Sequence, residues 1–256
     1  MPEIIETSAL EKIYPAAAGD VQALAGISLG IERGEFVAIM GPSGSGKSTL
    51  MSIFGLLDRP TAGTLLLEGE DVSRLSSDEG AAIRNRKVGF IFQSYNLLPR
   101  STAIENVELP LIYATLGATQ RRAKAIKALE FVGLGNRGDH WPNQLSGGEQ
   151  QRVAVARAIV SDPAILLADE PTGSLDTRTG HVVLAILQAL NAGKRTIIMV
   201  THDPSVARHA KRVITLRDGL VTEDTAVTER LDALQELKRL GGGQKDGTGQ
   251  ERRFEP

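Results

Sequence analysis

Gly41-Pro42-Ser43-Gly44-Ser45-Gly46-Lys47-Ser48-Thr49 lies between two runs of different character. Before it, Phe36-Val37-Ala38-Ile39-Met40 is a short continuous apolar run, the pattern of a buried strand. After it, Thr49-Leu50-Met51-Ser52-Ile53-Phe54 reads as a helix. The nine residues fit G-x-x-x-x-G-K-[ST], a phosphate-binding loop. Strand, glycine loop and helix together aim backbone N–H groups and a helix N-terminus at an anion. Glycine lets that backbone wrap a phosphate without Cβ clashes. In this pattern Lys47 reaches the β- and γ-phosphates of a nucleoside triphosphate and Ser48 ligates Mg²⁺.

Composition limits what surrounds the loop. The 256 residues allow one large domain or two small ones. The formal net charge is −2, so no overall basic field points to nucleic acid or anionic lipid, and no nucleic-acid partner is expected. The absence of cysteine excludes disulfides and thiolate metal sites and suits a reducing compartment. Met1-Pro2-Glu3-Ile4-Ile5-Glu6 lacks the basic-then-apolar order of a signal peptide. No apolar run approaches the roughly 18 residues of a membrane helix. The expectation is a cytoplasmic protein that meets a membrane only through a partner.

Residues 4 to 40 look β-rich, with Val21 to Leu29 apolar and Glu32-Arg33-Gly34-Glu35 a turn. Tyr14 in this region is either a half-buried strand residue or an aromatic face for a nucleobase. Asp58 to Gly63 is a turn, Thr64 to Gly69 a strand, Asp71 to Arg86 partly helical, and Val88 to Phe92 a strand that ends at Gln93. From Ser94 to Val160 the period becomes helical, a helical insertion in an α/β domain. Thr102-Ala103-Ile104-Glu105 fits a capping box, and Thr119 is expected to cap a helix running to Phe131.

Leu145-Ser146-Gly147-Gly148-Glu149-Gln150-Gln151-Arg152 opens the next helix. Ser146 is its N-cap, and Glu149 closes the box three residues on. The two glycines leave bare N–H groups facing outward, so this is either a second anion site or simply a well-capped helix. Ala164-Ile165-Leu166-Leu167-Ala168-Asp169-Glu170 is a buried strand ending in two carboxylates. Asp169 at its end suits the loop's Mg²⁺. Glu170, one residue further, has left the strand and can act as general base toward water. An amphipathic helix runs to Leu190, and the strand Thr196 to Val200 ends at Thr201-His202-Asp203. A strand-end histidine is commonly structural. Here three strands, ending near Met40, Asp169 and Val200, would all finish on the nucleotide side, which favours a functional His202. Arg212 to Gly219 reads as a hairpin, and Glu229 to Leu240 as a helix with Leu231, Leu234 and Leu237 on one side. Residues 241 to 256 are glycine-rich and charged, with the composition of a disordered tail.

Taken together, these motifs resemble the ATP-binding subunit of ABC transporters, over about residues 4 to 225. Gly41 to Thr49 match the Walker A loop, and Asp169 and Glu170 the Walker B aspartate and catalytic glutamate. Gln93 matches the glutamine that touches Mg²⁺ and the attacking water. Leu145 to Gln150 match the LSGGQ signature, with Glu149 in place of its last glutamine. Ser174-Leu175-Asp176 match the D-loop, His202 the switch histidine and Tyr14 the adenine-stacking aromatic. The resemblance implies an α/β P-loop NTPase fold with a mixed sheet core, an N-terminal antiparallel β-subdomain and a helical insertion. Its domain would span 1–225, with the helical part about 94–160 and a C-terminal helix and tail over 226–256. Phe36 to Leu50, Ile83 to Phe90 and Phe92 to Pro99 look like the lipoprotein-release and macrolide-export branch.

The resemblance further implies that two copies pack head to tail around two ATP and Mg²⁺, an isologous contact. Ser146, Gly147, Gly148, Glu149 and Asp176 of one copy would then meet the nucleotide of the other. Motion would pass to separate integral membrane permease subunits on the cytoplasmic face of the inner membrane, through a groove near Gln93. Tyr95, Leu97, Leu98 and Leu109 to Tyr113 line that groove or belong to the ordinary core. A mechanical ATPase of the cell-division type is the rival to a transporter. An ATPase acting on DNA or ribosomes fits poorly, because the chain has a net charge of −2 and no second ATPase module.

Overall fold

The computed structural model describes residues 3–17 and 19–241. In chain order it runs β1 (Glu3–Tyr14), β2 (Val21–Glu32), β3 (Phe36–Met40), α1 (Lys47–Phe54), β4 (Ala62–Leu67), β5 (Glu70–Asp71), α2 (Ser77–Lys87) and β6 (Val88–Ile91). Next come α3 (Ala103–Glu108), a 3-10 turn at Leu109–Tyr113, α4 (Ala118–Phe131), another at Pro142–Gln144 and α5 (Gly147–Ile159). The last part holds β7 (Ile165–Asp169), α6 (Thr177–Ala192), β8 (Thr196–Val200), α7 (Pro204–Ala207), β9 (Arg212–Arg217), β10 (Leu220–Ala226) and α8 (Ala233–Gly241).

The strands form two sheets. One is antiparallel, in the order β2-β1-β4-β5; the other has the order β10-β9-β3-β8-β7-β6. In the second, β9, β3, β8, β7 and β6 are parallel, and β10 closes the edge as an antiparallel hairpin with β9. A parallel sheet is covered on both faces, which explains why β3, β7 and β8 are apolar at nearly every position. Alternate residues serve two cores. Phe36, Ala38, Leu166, Ala168, Ile197 and Met199 pack with α3 to α6, while Val37, Ile39, Ile165, Leu167, Ile198 and Val200 pack with α1 and the antiparallel sheet. The mixed-sheet α/β architecture with an antiparallel N-terminal sheet is the one expected.

Register fixes the functional end of the sheet. Val200 lies opposite both Ile39 and Asp169, and the Thr201 amide donates to the Ile39 carbonyl at 3.1 Å. β3, β7 and β8 therefore finish level, at the edge where open α/β sheets bind ligands.

Two local expectations need correction. Thr119 does not cap α4: Gly117 occupies the N-cap position with extended backbone, and its amide donates to Gln120 Oε1 at 3.2 Å. Glycine is nearly as good there as threonine, and the Gln120 side chain satisfies the Gly117 amide. The final helix begins at Ala233 rather than Glu229, because the Asp232 carboxylate accepts from the Leu234 and Gln235 amides. Its buried side is Ala233 and Leu237, and Leu234 is exposed. Gln188 of α6 docks this helix, accepting from the Ala233 amide at 2.9 Å and donating to the Leu231 carbonyl at 2.7 Å. The tail expected to be disordered lies, from residue 242, outside the described residues.

Candidate active site

A cleft of about 670 Å³ opens at the carboxyl ends of β3, β7 and β8. The glycine loop contributes Gly41, Pro42, Ser43, Gly44, Lys47 and Ser48. Gln93 enters from beyond β6, Asp169 and Glu170 from the end of β7, and Val200 and His202 from the end of β8. Met40 and Thr215 complete the wall. Five separate segments thus converge on one place.

Two loop glycines are required by the protein's own packing. Gly41 has φ +148°, and a Cβ there would lie 2.1 Å from the Leu216 carbonyl oxygen. Gly46 has φ +99°, and a Cβ would lie 2.5 Å from the Ala23 carbonyl oxygen. Either substitution would meet backbone, which cannot rotate away. Gly46 places no side-chain cap on α1, so the first-turn N–H groups remain available to an anion. Lys47 Nζ donates to the Gly41 and Pro42 carbonyls, 2.8 Å each, and so straps the loop that it follows.

The two carboxylates are treated differently by the fold. Burial pushes the Asp169 carboxyl up, the neighbouring Glu170 charge adds to this, and Lys47 opposes it. Glu170 turns out of the strand with φ +45°, a left-handed conformation uncommon for a non-glycine residue. Its amide still donates to Val200 O at 3.0 Å, so the turn is anchored to β8. Glu170 Oε1 accepts from His202 Nδ1 at 2.7 Å and from the His202 amide at 3.0 Å, and the Thr201 hydroxyl lies 3.4 Å from Oε2. The bond to Glu170 raises the pKa of the exposed His202 ring.

Ser48, Gln93 and Asp169 bring oxygen donors to the same cleft. That donor set suits a hard cation. Among the described residues no group of three or more His, Cys, Asp or Glu could hold a metal alone. A Mg²⁺ ion needs no such group, since it takes one or two carboxylates and completes its shell with phosphates and water.

The signature does not line this cleft. Ser146 caps α5, with the Glu149 amide 3.3 Å from Ser146 Oγ and the Ser146 amide donating to Glu149 at 2.9 Å. That backbone bond holds the Glu149 carboxyl below its ordinary value. Gly147 is half-buried and Gly148 is buried: a Cβ on Gly148 would lie 1.9 Å from Thr179 Cγ2 of α6. Asp176 caps α6 by accepting from the Thr179 amide at 3.0 Å. The two candidate contact segments, Ser146–Glu149 and Asp176, are therefore packed against each other through Gly148 and Thr179.

Tyr14 lies outside the cleft lining. Its hydroxyl donates to Asp58 Oδ2 at 2.7 Å, Lys12 Nζ donates to Asp58 Oδ1 at 2.6 Å, and Lys12 Nζ sits 4.8 Å from the ring centroid. Tyr14 is 37% exposed. A groove of about 990 Å³ lies elsewhere, between α2 and the 3-10 turn. Leu109, Pro110 and Tyr113 line it, together with Arg84, Phe90 and Arg157. Tyr95, Leu97, Leu98, Leu111 and Ile112 do not line it, and Leu97 and Leu111 pack in the helical core instead.

Sequence reasoning missed Thr201, Thr215, Arg157 and Gln151. Gln151 is buried, and its Nε2 donates to the Pro171 carbonyl at 2.8 Å, steadying the turn after Glu170. A signal was present. Gln151 falls on the 148-151-155-158 stripe of α5, where a polar residue must find an internal partner.

Fold and cleft together define a P-loop ATPase of the cassette type. A family model described as ABC transporter matches residues 24–173, and the chain belongs to that family. An uncharacterized ABC transporter ATP-binding protein of Thermotoga maritima is 52% identical over 221 residues, 86% of this chain and 94% of that one. A macrolide export ATP-binding/permease protein, MacB, of Hyphomonas neptunium is 53% identical over 224 residues. This alignment covers 88% of the present chain but 35% of that relative. Among solved structures, the ATP-binding cassette MJ0796, a dimer in a post-hydrolysis state bound to ADP and Pi, is 44% identical with a TM-score of 0.81, covering 87% of this chain and 98% of that one. The chain is an ATP-binding, ATP-hydrolysing cassette. No helix among the described residues is long and apolar enough to cross a membrane.

Proposed function

We propose that this cassette dimerises head to tail around two ATP and drives separate permease subunits of the lipoprotein-release or macrolide-export type. The observation that carries the reading is the division of the site. The phosphate loop, carboxylates and His202 share one cleft, while the signature of the same chain lies outside it. A second copy would supply Ser146, Gly147, Gly148, Glu149 and Asp176 to that cleft. The relatives named for macrolide export and the dimeric cassette at 44% identity support both halves of the proposal.

In this reading Glu170 polarises the attacking water, and His202 and Thr201 hold its carboxylate in place. Lys47 and the open N–H groups of the loop and α1 take up charge on the γ-phosphate. Ser48, Gln93 and Asp169 would hold Mg²⁺, which supplies Lewis-acid stabilisation of the phosphates when bound. Tyr14 offers its exposed ring to adenine. The groove bounded by Tyr113, Phe90 and Arg157 receives the permease, which places the cassette on the cytoplasmic face of the membrane.

A mixing experiment tests the shared site. Gly148 is unsuitable for it because of its contact with Thr179, so the variants are Lys47→Ala and Ser146→Asp. Aspartate keeps the N-cap and adds a negative charge where the partner's phosphate would approach. Each variant alone should fail to dimerise with ATP. Their mixture contains one intact composite site and should regain nucleotide occlusion at that site. Persistent failure of the mixture, with both variants folded, rules out the shared site.

A further inference from the structure

Tyr95 lies two residues beyond Gln93, in a turn where both Tyr95 (φ +59°) and Asn96 (φ +50°) are left-handed. Two such residues in succession are costly for non-glycine side chains, so something must hold them. Arg157 of α5 does: its Nη2 donates to the Tyr95 carbonyl at 2.8 Å and its Nη1 to the Asn96 carbonyl at 2.6 Å. Burial lowers the pKa of this guanidinium. The helix that opens with the signature thus grips the glutamine loop by its backbone.

The Tyr95 side chain reaches the other way. Ser174 Oγ, in the loop after Glu170, lies 3.1 Å from the Tyr95 hydroxyl and 3.3 Å from the Gln93 carbonyl. A hydroxyl with one proton and two lone pairs can serve both contacts. A Cβ on Gly147 would fall 2.9 Å from the same Tyr95 hydroxyl, so the phenol rests on the bare Cα at the start of α5. One side chain therefore touches three segments: the glutamine loop, the loop leading to Asp176 and the signature.

We propose that Tyr95 is a positioning residue for ATP hydrolysis, its hydroxyl locking Gln93, Ser174 and the first turn of α5 into one rigid unit. Gln93 lines the cleft, and small displacements of a group at a reacting centre cost large factors in rate. Tyr95 makes no contribution to the cleft wall itself, so the unit governs geometry during turnover rather than nucleotide affinity.

The test uses the full chain with Tyr95→Phe, Ser174→Ala and the double variant. Each single change should lower kcat about three- to tenfold, the scale of one lost hydrogen bond. Equilibrium ATP affinity should stay within about twofold of wild type and Tm should not move, since Lys47, Ser48 and Asp169 keep their places. The double variant should fall no further than the worse single, because Ser174→Ala already removes the contact that Tyr95→Phe removes. Multiplicative losses in the double variant, unchanged kcat in both singles, or a loss that tracks a lowered Tm would each overturn the proposal. A second readout places Tyr95→Phe in a Glu170→Gln background and measures the ATP needed for half-maximal dimerisation, which should rise about threefold. This arm rests on the head-to-tail reading and the turnover arm does not. If no dimer forms even with Tyr95 intact, that reading fails and turnover alone decides the role of Tyr95.

Discussion

Glu170 and His202 are bound to each other twice: one carboxylate oxygen accepts from the imidazole Nδ1 at 2.7 Å and from the backbone amide of the same histidine at 3.0 Å. The chain separates the two by 32 residues, and the pairing of β7 with β8 brings them together. Because the amide contact belongs to the backbone, the carboxylate stays directed even when the ring swings away. The arrangement fixes the position of the Glu170 carboxylate and leaves the exposed His202 ring able to move.

Glu170→Gln should keep ATP binding and slow hydrolysis by roughly 10²-fold or more, the scale of losing a general base. Equilibrium nucleotide binding and steady-state phosphate release measure the two separately. Normal turnover in this variant would remove Glu170 from the chemistry.

The same pair sets a pH dependence. Glu170 raises the pKa of His202 above the ordinary histidine value near 6.5. A raised folded-state pKa means the protonated ring is favoured in the folded protein. Its stabilisation is complete below the ordinary value and is lost as pH rises through the raised one. NMR titration of the imidazole should show a midpoint above 6.5, moving down in Glu170→Gln. An unmoved midpoint would show that the carboxylate is not the cause.

Lys47→Ala removes the strap between α1 and the carbonyls of Gly41 and Pro42, and with it the cation of the cleft proposed to meet the phosphates. ATP affinity should fall by about tenfold or more, the scale of one or more charge-assisted hydrogen bonds. Calorimetry with and without Mg²⁺ would measure it. An affinity within about twofold of wild type would refute the phosphate-binding role of Lys47.

Gly148→Ala should destabilise the fold by about 1–3 kcal/mol, the usual cost of overpacking a closed contact. The added methyl would fall 1.9 Å from Thr179 Cγ2. Thr179→Ser removes that atom and should restore part of the loss, as read by denaturant unfolding. Equal stability of Gly148→Ala and wild type would show that α5 and α6 can separate at no cost.

Much of the site was legible in the linear chain because it is written in local patterns. The glycine loop between Met40 and Lys47 needs only its own spacing, and the Thr102 and Ser146 capping boxes each close over three residues. The ends of β3, β7 and β8 could be placed on one edge because a buried strand announces itself by a continuous apolar run. What the chain could not declare are contacts between segments far apart in sequence. Arg157 holds the backbone of Tyr95 across 62 residues, and Tyr14 reaches Asp58 across 44. No periodicity encodes such pairs, since they depend on how elements pack rather than on how each forms. The orientation of Tyr95 illustrates the difference. Its sequence position beside Gln93 suits the groove, but the left-handed backbone turns its ring toward Ser174 and Gly147. Gly148 is the same case in reverse. Its place at a helix start suggests open N–H groups, and only the packing of α5 on α6 shows that Thr179 leaves no room for a side chain. Sequence determined the chemistry of the loop, the carboxylates and the caps. Tertiary packing determined which of those groups share a cleft, because distances across the fold are set by sheet register and helix contacts, which no single segment contains.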